Sequence, residues 1–203
     1  MTELLQDAGK DSAVTNPSGN ERLTSITGGL LFVLLFLIGI TVLRVRTLLP
    51  QHLFLGFVLI PPLGLKMFST GWRFARYYIG DQAFRRAGPP ELYLRLIAPV
   101  LVLSTVAVFV TGLELWLFGV RFGAIWLTAH KASFLIWLPF IAIHALSYLN
   151  KSTEAAAEEL SGRGSPASAL TRRSLVIGSL VAGVVLALAS LLYASPFVFF
   201  GER

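Results

Sequence analysis

Apolar residues along this chain neither alternate with polar ones nor recur at helical spacing on a polar background. They fall into five long blocks separated by short polar stretches. A helix rises about 1.5 Å per residue, so about 20 successive apolar residues cross the hydrocarbon of a bilayer. The blocks therefore predict five membrane-spanning helices, at about residues 24–43, 51–77, 92–118, 124–149 and 174–193. Helices are expected because an isolated run in lipid must satisfy its own backbone hydrogen bonds. The second block is interrupted by Pro61 and Pro62. Pro99 and Pro139 lie inside the third and fourth, and all four prolines are expected to kink their helices.

The remaining segments are short. Residues 1–23 read as a disordered cytoplasmic N-terminal tail, with no basic start and apolar core of a signal peptide. Residues 150–173, rich in Ala, Glu, Ser and Gly, read as a cytoplasmic loop. Residues 174–203 read as a fifth transmembrane helix with a short external tail. Composition agrees: of 203 residues, 55% are hydrophobic and only 14% charged, with a mean hydropathy of +0.71. The class is an all-α integral membrane protein, whose first partner is the lipid bilayer.

Charge adds orientation. Eleven Lys and Arg flank the spans on the side of the N-terminus and four on the other side, while Lys66 and Lys131 fall within spans. By the positive-inside rule the N-terminus is cytoplasmic and the C-terminus external. The net charge of +6 is then a topology signal, and no nucleic-acid partner is expected. The absence of cysteine excludes disulfides, cysteine-ligated iron–sulfur clusters and thioether-attached haem. No P-loop, Ser–His–Asp set or thiolate nucleophile is arguable.

Two stretches carry candidate chemistry. "HLFLGFVLIPPLGLK" runs over 52–66 and "HKASFLIWLPFIAIH" over 130–144. Each begins with histidine and has a proline nine positions on. One ends in histidine, the other in lysine. Fourteen residues turn a helix by about 1400°, four turns less roughly 40°, so the end residues share a face about 21 Å apart. The second and fourth spans run parallel, which sets His52 level with His130 and Lys66 level with His144. Two ligand pairs across a bundle, at two depths, suit iron in a porphyrin.

Parallel helices carrying histidines at this spacing resemble the di-haem four-helix bundle of membrane cytochrome b. The wider group includes bacterial cytochrome b561-like proteins and the haem subunits that anchor molybdenum oxidoreductases. The resemblance covers about residues 24–149 and matches at His52, His130 and His144. Lys66 stands where the family pattern has histidine. "STGWRFARYYIGDQAFRRAGPP", 69–90, is similar to the loop after the ligand helix in actinobacterial members. Of the family's paired glycines, Ser25 with Gly39 and Ala98 with Gly112 keep only the separation. The resemblance implies a four-helix haem-binding bundle plus a fifth helix, in a bacterial cell membrane. It implies haem b, two per chain, metal ligands His52, His130, His144 and Lys66, and electron exchange with quinone or quinol. The other end of the path would meet an extracytoplasmic redox protein, such as a molybdenum oxidoreductase, or a small acceptor.

Lys66 keeps three readings: an axial ligand, a contact to a haem propionate or lipid, and a structural role. Met67 is a substitute ligand about 100° round the helix. Arg73, seven residues beyond Lys66, and Arg76 are cofactor-binding candidates for propionates and equally topology anchors. Lys131 and Glu114 read as an ion pair or as the border of a quinone or propionate site. Trp72, Tyr77, Tyr78, Trp116, Trp126 and Tyr193 read as aromatic belts. The rival class is a small transporter or proton-conducting protein with the histidines and Lys66 as relay groups.

Overall fold

The structure is a computed structural model that describes residues 15–89, 91–161 and 166–197. The described residues form six helices and no strand: α1 (Pro17–Leu43), α2 (Leu49–Ile79), the short α3 (Gln82–Arg86), α4 (Leu92–Phe118), α5 (Ile125–Leu160) and α6 (Pro166–Ser190). The five long ones are long and apolar enough to cross a membrane. Within their apolar stretches only 22%, 28%, 22%, 0% and 17% of residues, in chain order, are buried. A water-soluble monomer does not leave so much apolar side chain uncovered. In a bilayer this surface meets acyl chains, and the protein is multi-pass.

Helix limits depart from the apolar blocks wherever polar residues continue a helix. α1 starts at Pro17, seven residues before Thr24, so the expected disordered tail is helical from there. The sequence Asn-Pro-Ser explains this start. Asn16 caps the helix by accepting from Ser18 N at 3.3 Å, and Pro17 takes the first helical position, where its missing N–H is no loss. Residues 1–14 lie outside the described residues. α5 runs eleven residues past Leu149, through Lys151, Glu154, Glu158 and Glu159, and α6 starts at Pro166. Most of the expected 150–173 loop is thus helix, and residues 162–165 lie outside the description. α6 ends at Ser190, three residues before Tyr193, while α4 has the predicted limits.

The chain divides into two compact units. Unit 1 comprises Met1–Leu34, Val58–Pro89 and Tyr148–Val184, and unit 2 comprises Leu35–Phe57, Pro90–Ser147 and Val185–Arg203.

Unit 1 buries polar groups beside its apolar core. Asn20, Thr27 and Ser69 are fully buried alongside Leu23, Leu59 and Phe84. Asn20 Nδ2 donates to Ser69 O at 3.1 Å, and Thr24 Oγ1 donates to Ser69 Oγ at 2.9 Å, tying α1 to α2. Ion pairs tie α1 to α5, Arg22 with Glu158 at 2.7 Å and Glu21 with Lys151, and Glu21 also lies near Arg73 of α2. A buried pair, Arg172 with Glu159 at 2.9 Å, joins α5 to α6. Proline creates a further contact. Pro62 has no N–H, so the Val58 carbonyl loses its helical partner. The backbone of α6 covers that carbonyl at Gly183, where a Cβ would overlap Val58 O and stand 3.1 Å from its carbon. Only the Cα hydrogens of glycine fit there, in the weak C–H···O geometry that close helices use.

Unit 2 is held by aromatic and hydroxyl contacts. Trp116 packs between Phe57, with ring centroids 4.9 Å apart, and Tyr193, at 4.7 Å. Tyr193 Oη donates to Leu117 O and Ser195 Oγ to Trp116 O, both at 2.7 Å, which fastens the segment after α6 to the end of α4. Trp137 Nε1 donates to Thr105 Oγ1 at 2.9 Å and Tyr93 Oη to Ser147 Oγ at 3.1 Å, pairing α4 with α5.

Candidate functional site

His52 sits in the first turn of α2, half-buried, with its N–H bonded to Leu48 O at 2.8 Å. Its ring Nδ1 lies 2.9 Å from Thr41 Oγ1 on α1. Thr41 already donates its only hydroxyl hydrogen to Ile38 O at 2.6 Å. With that hydrogen given to Ile38 O, the hydroxyl accepts from an Nδ1–H of His52. His130, near the start of α5, repeats the arrangement. Its Nδ1 lies 3.0 Å from Val108 O and 3.1 Å from Thr111 Oγ1, both on α4. A carbonyl can only accept, and Thr111 directs its hydroxyl hydrogen to Ala107 O at 2.6 Å. His130 is also an Nδ1–H imidazole. In both rings Nε2 keeps its lone pair and has no hydrogen-bond partner among the described residues.

The two imidazoles lie close enough within unit 2 to act on one another electrostatically. Gly112 lets His130 approach α4: a Cβ there would stand 3.1 Å from the ring Cε1. Of the small residues at matching separation, Gly112 is the one that meets a histidine. Gly39 has nothing within 4 Å of its Cβ position, Ser25 is buried and Ala98 exposed. His144 is half-buried on α5 in the same unit.

Lys66 belongs to unit 1, and its Nζ donates to Thr24 O at 2.6 Å. Nζ also lies 3.0 Å from where a Cβ on Gly28 would stand, and Ser152 Oγ lies 3.2 Å from the same point. Ser152 follows Lys151 in the charged part of α5 and comes eight residues after His144. The amine thus stands in a polar layer of Thr24, Ser69 and Ser152, one helical turn from the Glu21–Lys151 pair. Among the described residues no carboxylate pairs with it.

The arginine candidates are engaged locally. Arg73 Nη2 donates to Gly88 O at 3.4 Å, and its Nη1 lies 3.9 Å from Glu21. Arg76 pairs with Asp81 and lies over the Trp72 ring, 5.7 Å from its centroid. Asp81 also caps α3 by accepting from Ala83 N at 2.9 Å and Phe84 N at 3.4 Å. Burial alone would raise the Asp81 carboxyl, but those two N–H groups and Arg76 outweigh it and hold it below the usual aspartate range. The expected Lys131–Glu114 ion pair does not form. Lys131 is exposed, Glu114 half-buried, and no ion pair joins them among the described residues. Lys131 follows His130 directly, about 100° round the helix, so turning His130 toward α4 turns Lys131 away.

Sequence reasoning missed Thr41, Thr111 and the Val108 carbonyl, which fix both imidazoles. Thr111 carried a signal, one residue before Gly112 in an apolar helix, where a threonine hydroxyl bonds back to its own helix and offers its lone pairs sideways. No protein-family model, curated protein or solved structure matches the chain.

Proposed function

We propose that the chain is a membrane haem-b electron-transfer protein of the di-haem cytochrome b kind, with His52 and His130 as the axial ligands of one haem. One observation carries this reading: two imidazoles in one unit, each held at Nδ1 and each with Nε2 without a hydrogen-bond partner among the described residues. An axial ligand needs that state, a neutral ring whose far N–H is anchored so that the near nitrogen points at iron. The donor set fits haem, since the porphyrin supplies the equatorial ligands and two imidazoles complete the iron. When bound, haem supplies a one-electron Fe(III)/Fe(II) couple. The protein's part is to hold the rings. Thr41, Thr111 and Val108 O fix their tautomer and rotation, and Gly112 admits His130 to its place.

His144 is our proposed ligand to a second, deeper haem. Lys66 is also a proposed ligand, a role that would require its amine to leave Thr24 O and give up its proton. Arg73 and Arg76 are proposed propionate contacts, and quinone or quinol and an extracytoplasmic redox protein the exchange partners. We further propose a bacterial cell membrane with the N-terminus cytoplasmic, from the excess of Lys and Arg on that side. A proton relay through the histidines and Lys66 is the second reading, favoured by an intramembrane amine that rests on a backbone carbonyl with no carboxylate partner among the described residues.

A reduced-minus-oxidised spectrum with pyridine-haemochrome quantification tests the proposal. The wild type should bind haem, and His52→Ala and His130→Ala should each lose the same haem. Lys66→Ala should spare it. Haem-free wild-type protein, or full haem retention in both histidine variants, would falsify the assignment.

A further inference from the structure

We propose that the turn joining α2 to α3 is a binding site for a lipid phosphate anion, taken up by Trp72 and Arg76. Two buried donors at this turn have no acceptor among the described residues: indole Nε1 of Trp72 and Nε of Arg76. They stand one helical turn apart on α2, and the guanidinium carbon of Arg76 lies 5.7 Å from the indole ring centroid. Both orphans therefore belong to one spot. A buried donor without a partner is costly, and more so when it belongs to a cation. Asp81, the carboxylate paired with Arg76, bonds Nη2 and leaves Nε open. Two neighbouring unpartnered donors, one of them cationic, ask for an anion with more than one oxygen.

Local charge has the same sign. Arg73, Arg85 and Arg86 share this turn, and the carboxylate near Arg73, Glu21, also serves Lys151. Arg86 is exposed and has no ion pair among the described residues. The basic groups sit on a fixed backbone. Gly80 has φ 101°, a conformation other residues rarely take, Asp81 caps α3, and Phe84 is buried beneath it.

Depth identifies the anion. Arg76 is three residues from the end of α2, in a stretch with Trp72, Tyr77 and Tyr78, the side chains that settle at headgroup level. It lies ten residues beyond Lys66, about 15 Å of rise away from the apolar middle of α2. The anion abundant at that level is the phosphodiester of the adjoining leaflet. An excess of arginine selects lipids with net negative headgroups, to which juxtamembrane basic residues are drawn. The site uses Arg76, which the haem reading also uses, but it needs no haem and should survive in haem-free protein.

The test is native mass spectrometry of the full chain in neutral detergent, titrated separately with phosphatidylglycerol, phosphatidylcholine and inorganic phosphate. Phosphatidylglycerol should be retained about tenfold more strongly than phosphatidylcholine, the equivalent of one charge-assisted hydrogen bond. Trp72→Phe keeps the ring and removes the donor, and Arg76→Lys keeps the charge and removes Nε. Each should lower retention severalfold, and Arg86→Gln should lower it less. Circular dichroism confirms folding of each variant, and a variant that fails to fold leaves the other to decide. Equal retention of the two lipids overturns the proposal, as does undiminished retention in the folded variants, which would mean that water satisfies the two donors. Displacement of the lipid by inorganic phosphate would make the ligand a free anion and overturn the lipid assignment.

Discussion

Unit 1 and unit 2 handle polar groups inside an apolar protein in opposite ways. Unit 1 keeps charges and matches them: Glu159 with Arg172 and Arg173, Glu21 with Lys151, Glu158 with Arg22. Lys66, by contrast, rests on a backbone carbonyl. In unit 2 the Nδ1 sides of His52 and His130 rest on threonine and carbonyl oxygens, neutral contacts that orient the rings without adding charge. The difference teaches what each arrangement suits. Charge pairing locks helix ends, whereas neutral anchoring leaves a nitrogen lone pair ready for a guest.

The comparison breaks most readily at Glu159. Glu159→Gln removes the charge that balances the buried Arg172 guanidinium and leaves it only neutral contacts, Ser168 and an amide oxygen. Removing one partner of a buried pair costs about 3–5 kcal/mol. The unfolding midpoint in micelles should fall accordingly, and Glu159→Leu with Arg172→Met should recover much of the loss. A wild-type midpoint for Glu159→Gln would mean that charge matching does not hold unit 1.

A smaller loss is expected at Gly183, where unit 1 depends on backbone contact. Gly183→Ala drives a methyl into Val58 O and should cost about 1–3 kcal/mol, as overpacking does. The neighbouring Ala182, exposed, should accept valine with no measurable change in the same assay.

The least costly change to the fold is Thr111→Val in unit 2. Val108 O still anchors His130, so stability should drop by about 1 kcal/mol or less. The same variant should weaken a bound metal group about 10-fold or more, the usual consequence of losing a ligand's supporting bond. Haem titration against thermal unfolding separates the two effects. If both move together, the threonine is part of the packing and the contrast between the units is weaker than drawn.

Much of this architecture is legible in the sequence because hydropathy reports burial in lipid directly. The limits of α4 are the limits of its apolar block. Hydropathy is silent where a helix leaves the membrane, so the first turns of α1 and the Lys151–Leu160 end of α5 went unseen. Their signals were local: Asn16-Pro17-Ser18 as a cap, and a run of alanine and glutamate that favours helix. Spacing predicted shared faces for His52 with Lys66 and for His130 with His144. It could not give the partner of Lys66, because helical phase says which residues share a face and not which neighbour comes nearest. The Gly183 notch was equally hidden: glycine in a membrane helix is common, and only its placement opposite a proline-freed carbonyl gives it meaning.

Each paired set of candidate ligands has a proline between its members, Pro61 and Pro62 in α2 and Pro139 in α5. Proline removes a rung of the helical ladder, so these are the compliant points of otherwise stiff rods. A twist or bend applied at one end is absorbed there before it reaches the other. His52 and Lys66, or His130 and His144, can therefore settle into different surroundings on one continuous helix. In mechanical terms the prolines are dampers that insulate two settings sharing the same shafts.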